Sequence, residues 1–566
     1  MRKRNRSALL AVLACGLLVP ASSRAGAFEG EWFGGFRGRT DWVFVRVTFG
    51  GEDSAPADRI DLPLSGERGI LLDSVRFRGP RVSFEVPGTF GNLLFEGKLE
   101  DGRIRGFVRM GFGSANFELL RKVRPDERLT QRLLGNYDLG DGRIVLVYEG
   151  PQGLAYVDYG TGRMGPLYPI GSRTFVSGPT LLSGYPVELT VRVDLDAIGE
   201  VTWLTWDARG EPSVRAPKRV LYRTEDVAYA SGTARISASL LTPPGPGPSP
   251  AVVMIHGSGP ATRSALMPFA DVLVRSGVAV LVPDKRGAGR SSGDGVRATF
   301  ADLAGDALAG VAFLKRRPGV NPTQIGLQGA SLGGWVAPLA ASRSSDVKFI
   351  IVEAAPTITP AEHERQRVES QMRADSLPRD LIVQALAFMD RKFDVGRSGK
   401  GWDGLVRLMN KGRLEGWLGY VNPPSSLDSL TWHVRQILDY DPLPALEQLK
   451  CPVLAVYGEL DTIVPVGFNR RRMEEALERA GNTDVTVTVF PKANHNFFAA
   501  ITGGPGEVPR LRGFVPGYFT TRVEWVLARV DETVAAPEVA VDLSAAIVRS
   551  PTVVVPGGPF ETRVVR

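Results

Sequence analysis

Hydrophobic and polar positions alternate with period two from about Phe28 to Tyr222, then give way to short unbroken apolar runs. Trp42-Val43-Phe44-Val45-Arg46-Val47-Thr48-Phe49 and Val187-Glu188-Leu189-Thr190-Val191-Arg192-Val193 are clear cases of the first pattern, bounded by Gly, Asp and Pro. Such runs predict half-buried antiparallel strands, so this region is read as all-β. Past Tyr222, Ala251-Val252-Val253-Met254-Ile255, Val280-Leu281-Val282 and Val453-Leu454-Ala455-Val456 are apolar throughout. Continuous apolar runs suit strands of a parallel sheet covered on both faces. A stretch from about Pro356 to Leu449, including Glu362 to Met389, reads instead as helices inserted between two of these strands. The predicted fold class is therefore α/β, a mostly parallel sheet with a helical cap, preceded by an all-β N-terminal region.

The 566 residues exceed one such domain. The expected boundaries are a leader over 1–27, a β module over 28–122, a second over 123–222, the α/β domain over 223–535 with its cap at about 356–449, and a tail over 536–566. The β region has no repeat of blade length and is short for a full propeller. No function is read from the Pro- and Val-rich tail.

The leader changes the picture of charge and cysteine. Met1-Arg2-Lys3-Arg4-Asn5-Arg6 is basic, Ala8 to Val19 is apolar but too short to span a membrane, and Ala25-Gly26-Ala27 resembles a cleavage site. Export to the periplasm or the extracellular space is expected, with cleavage after Ala27. Lipoprotein anchoring at Cys15 is the lesser alternative, because the apolar run continues past it. Removing the leader's five basic residues takes the net charge from +7 to +2. The basic balance then gives little support to nucleic-acid binding, and no aromatic-basic interleaving supports it either. Cys451 is left alone, so no intramolecular disulfide can form. No Cys/His cluster has zinc spacing, and neither a metal nor another cofactor is expected.

Candidate chemistry lies in three segments: Gly329-Ala330-Ser331-Leu332-Gly333, Gly458-Glu459-Leu460-Asp461 and Ala493-Asn494-His495. The first is a G-x-S-x-G pentapeptide, and Gly289-Arg290-Ser291-Ser292-Gly293 is a second copy. Context separates them. A nucleophilic serine needs a tight bend between a buried strand and a small-residue helix. Ile325-Gly326-Leu327-Gln328 and Gly333-Gly334-Trp335-Val336-Ala337 supply both around Ser331. Ser291 follows a strand running into a polar loop, and the next helix is expected only near Thr299. His495, on the loop after an alternating strand pattern at Val485 to Phe490, is the only histidine downstream of the candidate acid. His363 and His433 fall in the helical insertion and are expected to be solvated. The acid is Asp461 or Glu459, which spacing alone does not separate. Two amides are expected to bind an oxyanion: that of Leu332, and one from the loop His256-Gly257-Ser258-Gly259-Pro260, assigned to Ser258 with Gly257 as fallback.

From Val252 to His495 the chain resembles the α/β hydrolases, and within them bacterial serine esterases and serine peptidase-like hydrolases with an N-terminal β domain. Five motifs in order carry the resemblance: His256 to Pro260, Asp284 to Ser291, Gly329 to Gly334, Gly458 to Pro465, and Asn494-His495. It implies a triad of Ser331, Asp461 and His495, an oxyanion hole at Ser258 and Leu332, and a structural role for Ser291. The expected activity is hydrolysis of carboxylic esters of small molecules through an acyl-enzyme. Peptidase or amidase activity with the same residues is the first alternative. The second is a cell-envelope polymer-binding protein, associating through the N-terminal β region, with secondary hydrolase activity. Phe388, Trp402, Trp417, Tyr420 and Trp432 are expected mainly to pack the cap rather than line a pocket. The motifs carry no information on oligomeric state.

Overall fold

The computed structural model describes residues 26–50, 58–88, 92–111, 113–245 and 247–530. The expected leader, except its last two residues, and the tail lie outside the described residues. The chain divides into two compact units after Val123.

Among the described residues between Gly30 and Arg121, the first unit is one antiparallel sheet of nine strands. Counted in chain order, they lie side by side as 4-3-2-1-9-8-7-6-5. The first and ninth strands pair from Trp32 opposite Arg121 to Phe36 opposite Phe117. Its core is rich in phenylalanine, with Phe28, Phe49, Phe84, Phe95 and Phe117 buried together.

Between Gly135 and Arg219, within the second unit, another nine antiparallel strands adopt the same order, 4-3-2-1-9-8-7-6-5. The two modules share a local device as well. Each opens on a Gly at positive φ, Gly30 at +116° and Gly135 at +133°, followed two residues on by a buried aromatic. Trp32 Nε1 donates to Phe28 O at 2.7 Å, and Tyr137 Oη donates to Leu133 O at 2.8 Å, both reaching back four residues. These are two copies of one topology.

The α/β domain is built on eight strands: β1 (Arg223–Ser231), β2 (Ala234–Thr242), β3 (Ser249–Ile255), β4 (Ala279–Pro283), β5 (Val320–Ala330), β6 (Ile350–Glu353), β7 (Val453–Gly458) and β8 (Val485–Phe490). Their spatial order is β1-β2-β4-β3-β5-β6-β7-β8. The first two join antiparallel, and the strands from β4 to β8 run parallel. Helices α1 (Met267–Arg275), α2 (Phe300–Leu314) and α3 (Gly333–Ala341) belong to the crossovers between these strands. Because apolar side chains leave both faces of the sheet, there are two cores, one around Val253, Leu281, Leu327 and Val336, the other around Val252, Val280, Ile351 and Leu454.

The cap interrupts the sheet between β6 and β7. Its main helices are α4 (Pro360–Ala374), α5 (Arg379–Ser398), α6 (Trp402–Leu414) and α7 (Leu427–His433). The stretch from Glu362 to Met389 is thus two helices rather than one. Ser376 at φ +60° and Pro378 break it, since proline favours an extended residue before it and has no amide to donate. Phe388 and Trp417 are buried in the cap's own core, and Trp402 and Tyr420 pack against it. Helices α8 (Val466–Arg479) and α9 (Tyr518–Leu527) complete the domain. Among the described residues no helix is long and apolar enough to cross a membrane.

Candidate active site

Ser331 follows β5 directly and sits at φ +55°. Its amide donates to Glu353 O at the end of β6 at 2.8 Å, and its carbonyl accepts from Gly334 N at 2.7 Å, so the bend is held from both sides. Small residues are obligatory around it. A Cβ at Gly329 would lie 2.3 Å from Gly333 O, and one at Gly334 would lie 2.6 Å from both Cα and Cβ of Ala355. The turn can therefore be this tight, and α3 this close to β6, only with glycine at these positions.

Asp461 and His495 come together from the loops after β7 and β8. Asp461 Oδ2 lies 2.8 Å from His495 Nδ1. Its other oxygen, Oδ1, accepts from Ile463 N and Val464 N, each at 2.8 Å, which fixes the carboxylate plane. Glu459 turns elsewhere and accepts from Lys492 N at 2.8 Å. Gly458 permits the loops to meet, since a Cβ there would fall 2.5 Å from the carbonyl oxygens of Ala493 and Asn494. Asn494 Oδ1 accepts from Asn496 N and Phe498 N, shaping the loop that carries His495. Among the described residues no hydrogen bond joins Ser331 Oγ to His495; in free enzymes this contact commonly closes only when substrate binds.

The loop after β3 lies against Ser331. A Cβ at Gly257 would be 3.6 Å from Ser331 Cβ. Among the described residues the backbone N–H groups of Gly257, Ser258 and Leu332 donate to no protein acceptor. Two side chains brace this loop. His256 Nε2 is 2.7 Å from Pro283 O, and burial pushes its pKa down to about 4, so the ring is neutral and donates. Lys285 Nζ donates to Gly257 O at 2.7 Å and Gly259 O at 3.0 Å, and burial lowers its pKa to about 8. Lys285 carries no motif signal of its own beyond following Asp284.

Ser291 is structural. Its Oγ donates to Asp284 O at 2.8 Å and accepts from Ser237 N at 2.9 Å. Asp284 is buried and accepts from Arg263 N and Arg290 N, with the Arg263 guanidinium alongside. Although burial alone would raise its pKa, the hydrogen bonds and charge of Arg263 hold the carboxyl below its ordinary range. Thr299 caps α2 through a capping box with Asp302, so the helix does begin well past Ser291.

His363 departs from expectation. It is only 7% exposed, in the first turn of α4, with its ring packed edge-on against Trp335 of α3 at 5.3 Å. The polar helical pattern around it suggested solvent, but the first turn of α4 sets its ring against Trp335 of α3. His433 is exposed.

Behind the elbow, Glu353 accepts from Tyr518 Oη at 3.1 Å and lies 3.3 Å from the fully buried Arg522 guanidinium. Phe269, Tyr518 and Phe519 surround that guanidinium. The sequence carries no signal for this cluster, because its members are far apart in the chain. A cavity of about 40 Å³ is lined by Tyr229, Val253, His256, Lys285, Leu303 and Asp306 among others. Neither Ser331 nor His495 lines it.

Residues 252–501 match the sequence model of the alpha/beta hydrolase family. Esterase EstD of Thermotoga maritima is 24% identical over 354 residues, 60% of this chain and 76% of EstD. Thiohydrolase aneE of Aspergillus aculeatus is 35% identical over 139 residues, 24% of this chain and 40% of aneE. An uncharacterized 31.7 kDa protein of Escherichia coli is 23% identical over 239 residues, 41% of this chain and 79% of its own length. Among solved structures, the Pyrococcus furiosus esterase Pf2001 aligns with 54% of this chain and 91% of its own, at 19% identity and a TM-score of 0.37.

Proposed function

The α/β hydrolase to which residues 252–501 belong is, we propose, an exported serine hydrolase that cleaves carboxylic esters. The observation that carries this reading is the Asp461–His495 contact at 2.8 Å together with Ser331 held at a left-handed bend. Ser331 Oγ attacks the acyl carbon while His495 Nε2 takes the hydroxyl proton. The oxyanion accepts from the N–H of Leu332 and that of Ser258 or Gly257. Collapse breaks the bond to the alcohol, which leaves with the proton from His495. Water then gives a proton to His495 and adds to the acyl-enzyme, and its collapse frees the acid and returns the proton to Ser331. Asp461 keeps His495 in the tautomer that can accept. None of these steps draws on a cofactor.

Export rests on the leader alone. Retention of the leaderless chain inside a bacterial host, against processing after Ala27 of the full chain, is the expected contrast; identical location of both would overturn it.

The mechanism is tested with nitrophenyl esters of increasing acyl length, using the chain from Phe28 and its Ser331→Ala variant. Turnover is expected to fall by about a million-fold in the variant. Because aneE is called a thiohydrolase, an acyl thioester belongs beside them as a substrate using the same acyl-enzyme. Cleavage of aminoacyl anilides with every ester untouched would replace the ester reading by a peptidase one.

A further inference from the structure

Helix α4 starts at a fixed place. Thr359 and Glu362 form a capping box, and Pro360 occupies the first turn. His363 follows immediately, so its position against Trp335 is set by the helix start. Its ring stands at 89° to that of Trp335, which is itself held by a hydrogen bond from Nε1 to Ile358 O at 3.1 Å. Trp335 lies four residues beyond Ser331. The groups whose charge reaches His363 are Glu364 and Arg367 on its own helix and, from the catalytic loops, His495 and Asp461. The first turn of the cap thus stands within electrostatic reach of the loops that carry Asp461 and His495.

One nitrogen of the ring is left without a partner. Nδ1 is sealed from solvent and has no hydrogen-bond partner among the described residues. Its neighbours are provided for: Arg367 donates to Glu364 and Gln371, and Lys392 donates to Val421 O. Burial pushes the His363 pKa down to about 4, so near neutrality the imidazole carries one donor and one acceptor. A buried ring nitrogen left unsatisfied is costly unless something arrives to pair with it. An apolar aromatic would stack on Trp335 as well without that cost. What suits a neutral imidazole of either tautomer is a hydroxyl, which both donates and accepts.

Building on the ester-hydrolase reading, we propose that His363 is a specificity residue that hydrogen-bonds a hydroxyl group of the substrate beneath the cap, so that hydroxyl-bearing esters are preferred to their plain alkyl counterparts.

Two matched pairs locate the hydroxyl. 4-Nitrophenyl 3-hydroxybutyrate against 4-nitrophenyl butyrate probes the acyl side, and glyceryl monobutyrate against propyl butyrate probes the alcohol side. In His363→Phe, kcat/KM for the hydroxylated member of one pair is expected to fall about tenfold or more, and that of its plain partner less than about threefold. His363→Gln, which keeps a donor and an acceptor, is expected to recover part of the preference. Equal losses within both pairs, or no loss in either, would overturn the proposal. A second readout does not depend on turnover. If the imidazole awaits substrate, His363→Phe keeps or raises Tm; a fall of several degrees shows a structural partner in the free protein and also overturns it. Failure of the unsubstituted protein to cleave any of the four esters sinks the ester reading instead, and the melting measurement then decides whether His363 has a structural partner.

Discussion

Ser331 occupies a backbone conformation that costs a non-glycine residue about 1–3 kcal/mol, and the surrounding contacts have to offset it. Glu353 O and Gly334 N do so directly, while Gly329 and Gly334 leave room for them. Gly334→Ala is therefore expected to push α3 from the Ala355 segment, displacing the Leu332 amide. Overpacking of this kind costs about 1–3 kcal/mol. A drop in Tm together with a kcat loss larger than the KM change would show both effects, and unchanged kinetics would argue against the Leu332 amide as an oxyanion donor. Asp461→Asn tests the neighbouring pair. An amide in place of Oδ2 can present its N–H to His495 and favour the wrong tautomer, so kcat should fall about ten-thousand-fold with little change in KM. Glu459→Gln, by contrast, keeps a carbonyl oxygen to accept from the Lys492 amide and should change kcat by less than about tenfold. In the sequence these two carboxylates are separated only by a resemblance; in the structure they are separated by what each accepts. Which acid meets a histidine 34 residues on depends on how two loops close, and that closure turns on Gly458, whose need for smallness appears only once Ala493 stands beside it.

The cap's first helix adds a charge argument that belongs to the element as a whole. Glu364 accepts from the Arg367 guanidinium at 2.9 Å, and that hydrogen bond and charge, with Lys392 nearby, outweigh burial and push its pKa down to about 2. The folded carboxyl therefore stays ionised where the unfolded one, titrating near 4.5, takes up a proton. This contribution is fully present above the unfolded pKa and is lost as pH falls towards 2, amounting to about 2 kcal/mol by pH 3. Glu364→Gln should abolish that part of the acid sensitivity. Urea melts of both proteins between pH 6 and pH 3 should show the stability gap narrowing as pH falls, and a gap independent of pH would remove Glu364 from the account. None of this was visible in the chain, where a charged helix with scattered apolar residues looks solvated and His363 with it. The α/β class was visible for the opposite reason. Parallel strands buried on both faces leave unbroken apolar runs, and alternating strands leave period-two runs; both are local patterns, written in consecutive residues. The Lys285 brace, the Glu353–Arg522 cluster and the environment of His363 join residues far apart in sequence, so no window along the chain contains them.

At the scale of the molecule, the second β module is part of the catalytic unit. Asn136 Nδ2 and Tyr222 Oη donate to Asp271 Oδ1 of α1, and Arg275 donates to its other oxygen, all in a buried setting. Leu146, Tyr148, Val157 and Tyr159 share a core with Val252, Val280 and Leu454 of the sheet. The module also reaches the histidine loop. Gly162 O accepts from Phe514 N at 2.9 Å, Phe514 bridges to Phe498, and Val515 N donates to Phe497 O, two residues from His495. A chain begun at Arg124 retains every one of these contacts. A chain begun at Arg223 keeps all three proposed catalytic residues but exposes the apolar face above and leaves Asp271 without Asn136 and Tyr222. Losing a neutral hydrogen-bond donor to a buried carboxylate costs about 1.5–3 kcal/mol, before the lost apolar burial is counted. The chain from Arg223 is thus expected to be insoluble or to melt well below the chain from Arg124, and any soluble fraction should have a reduced kcat because the loop bearing His495 has lost its outer support. Equal kcat and equal Tm for the two truncations would mean that the second module only covers the hydrolase and does not hold its histidine in place.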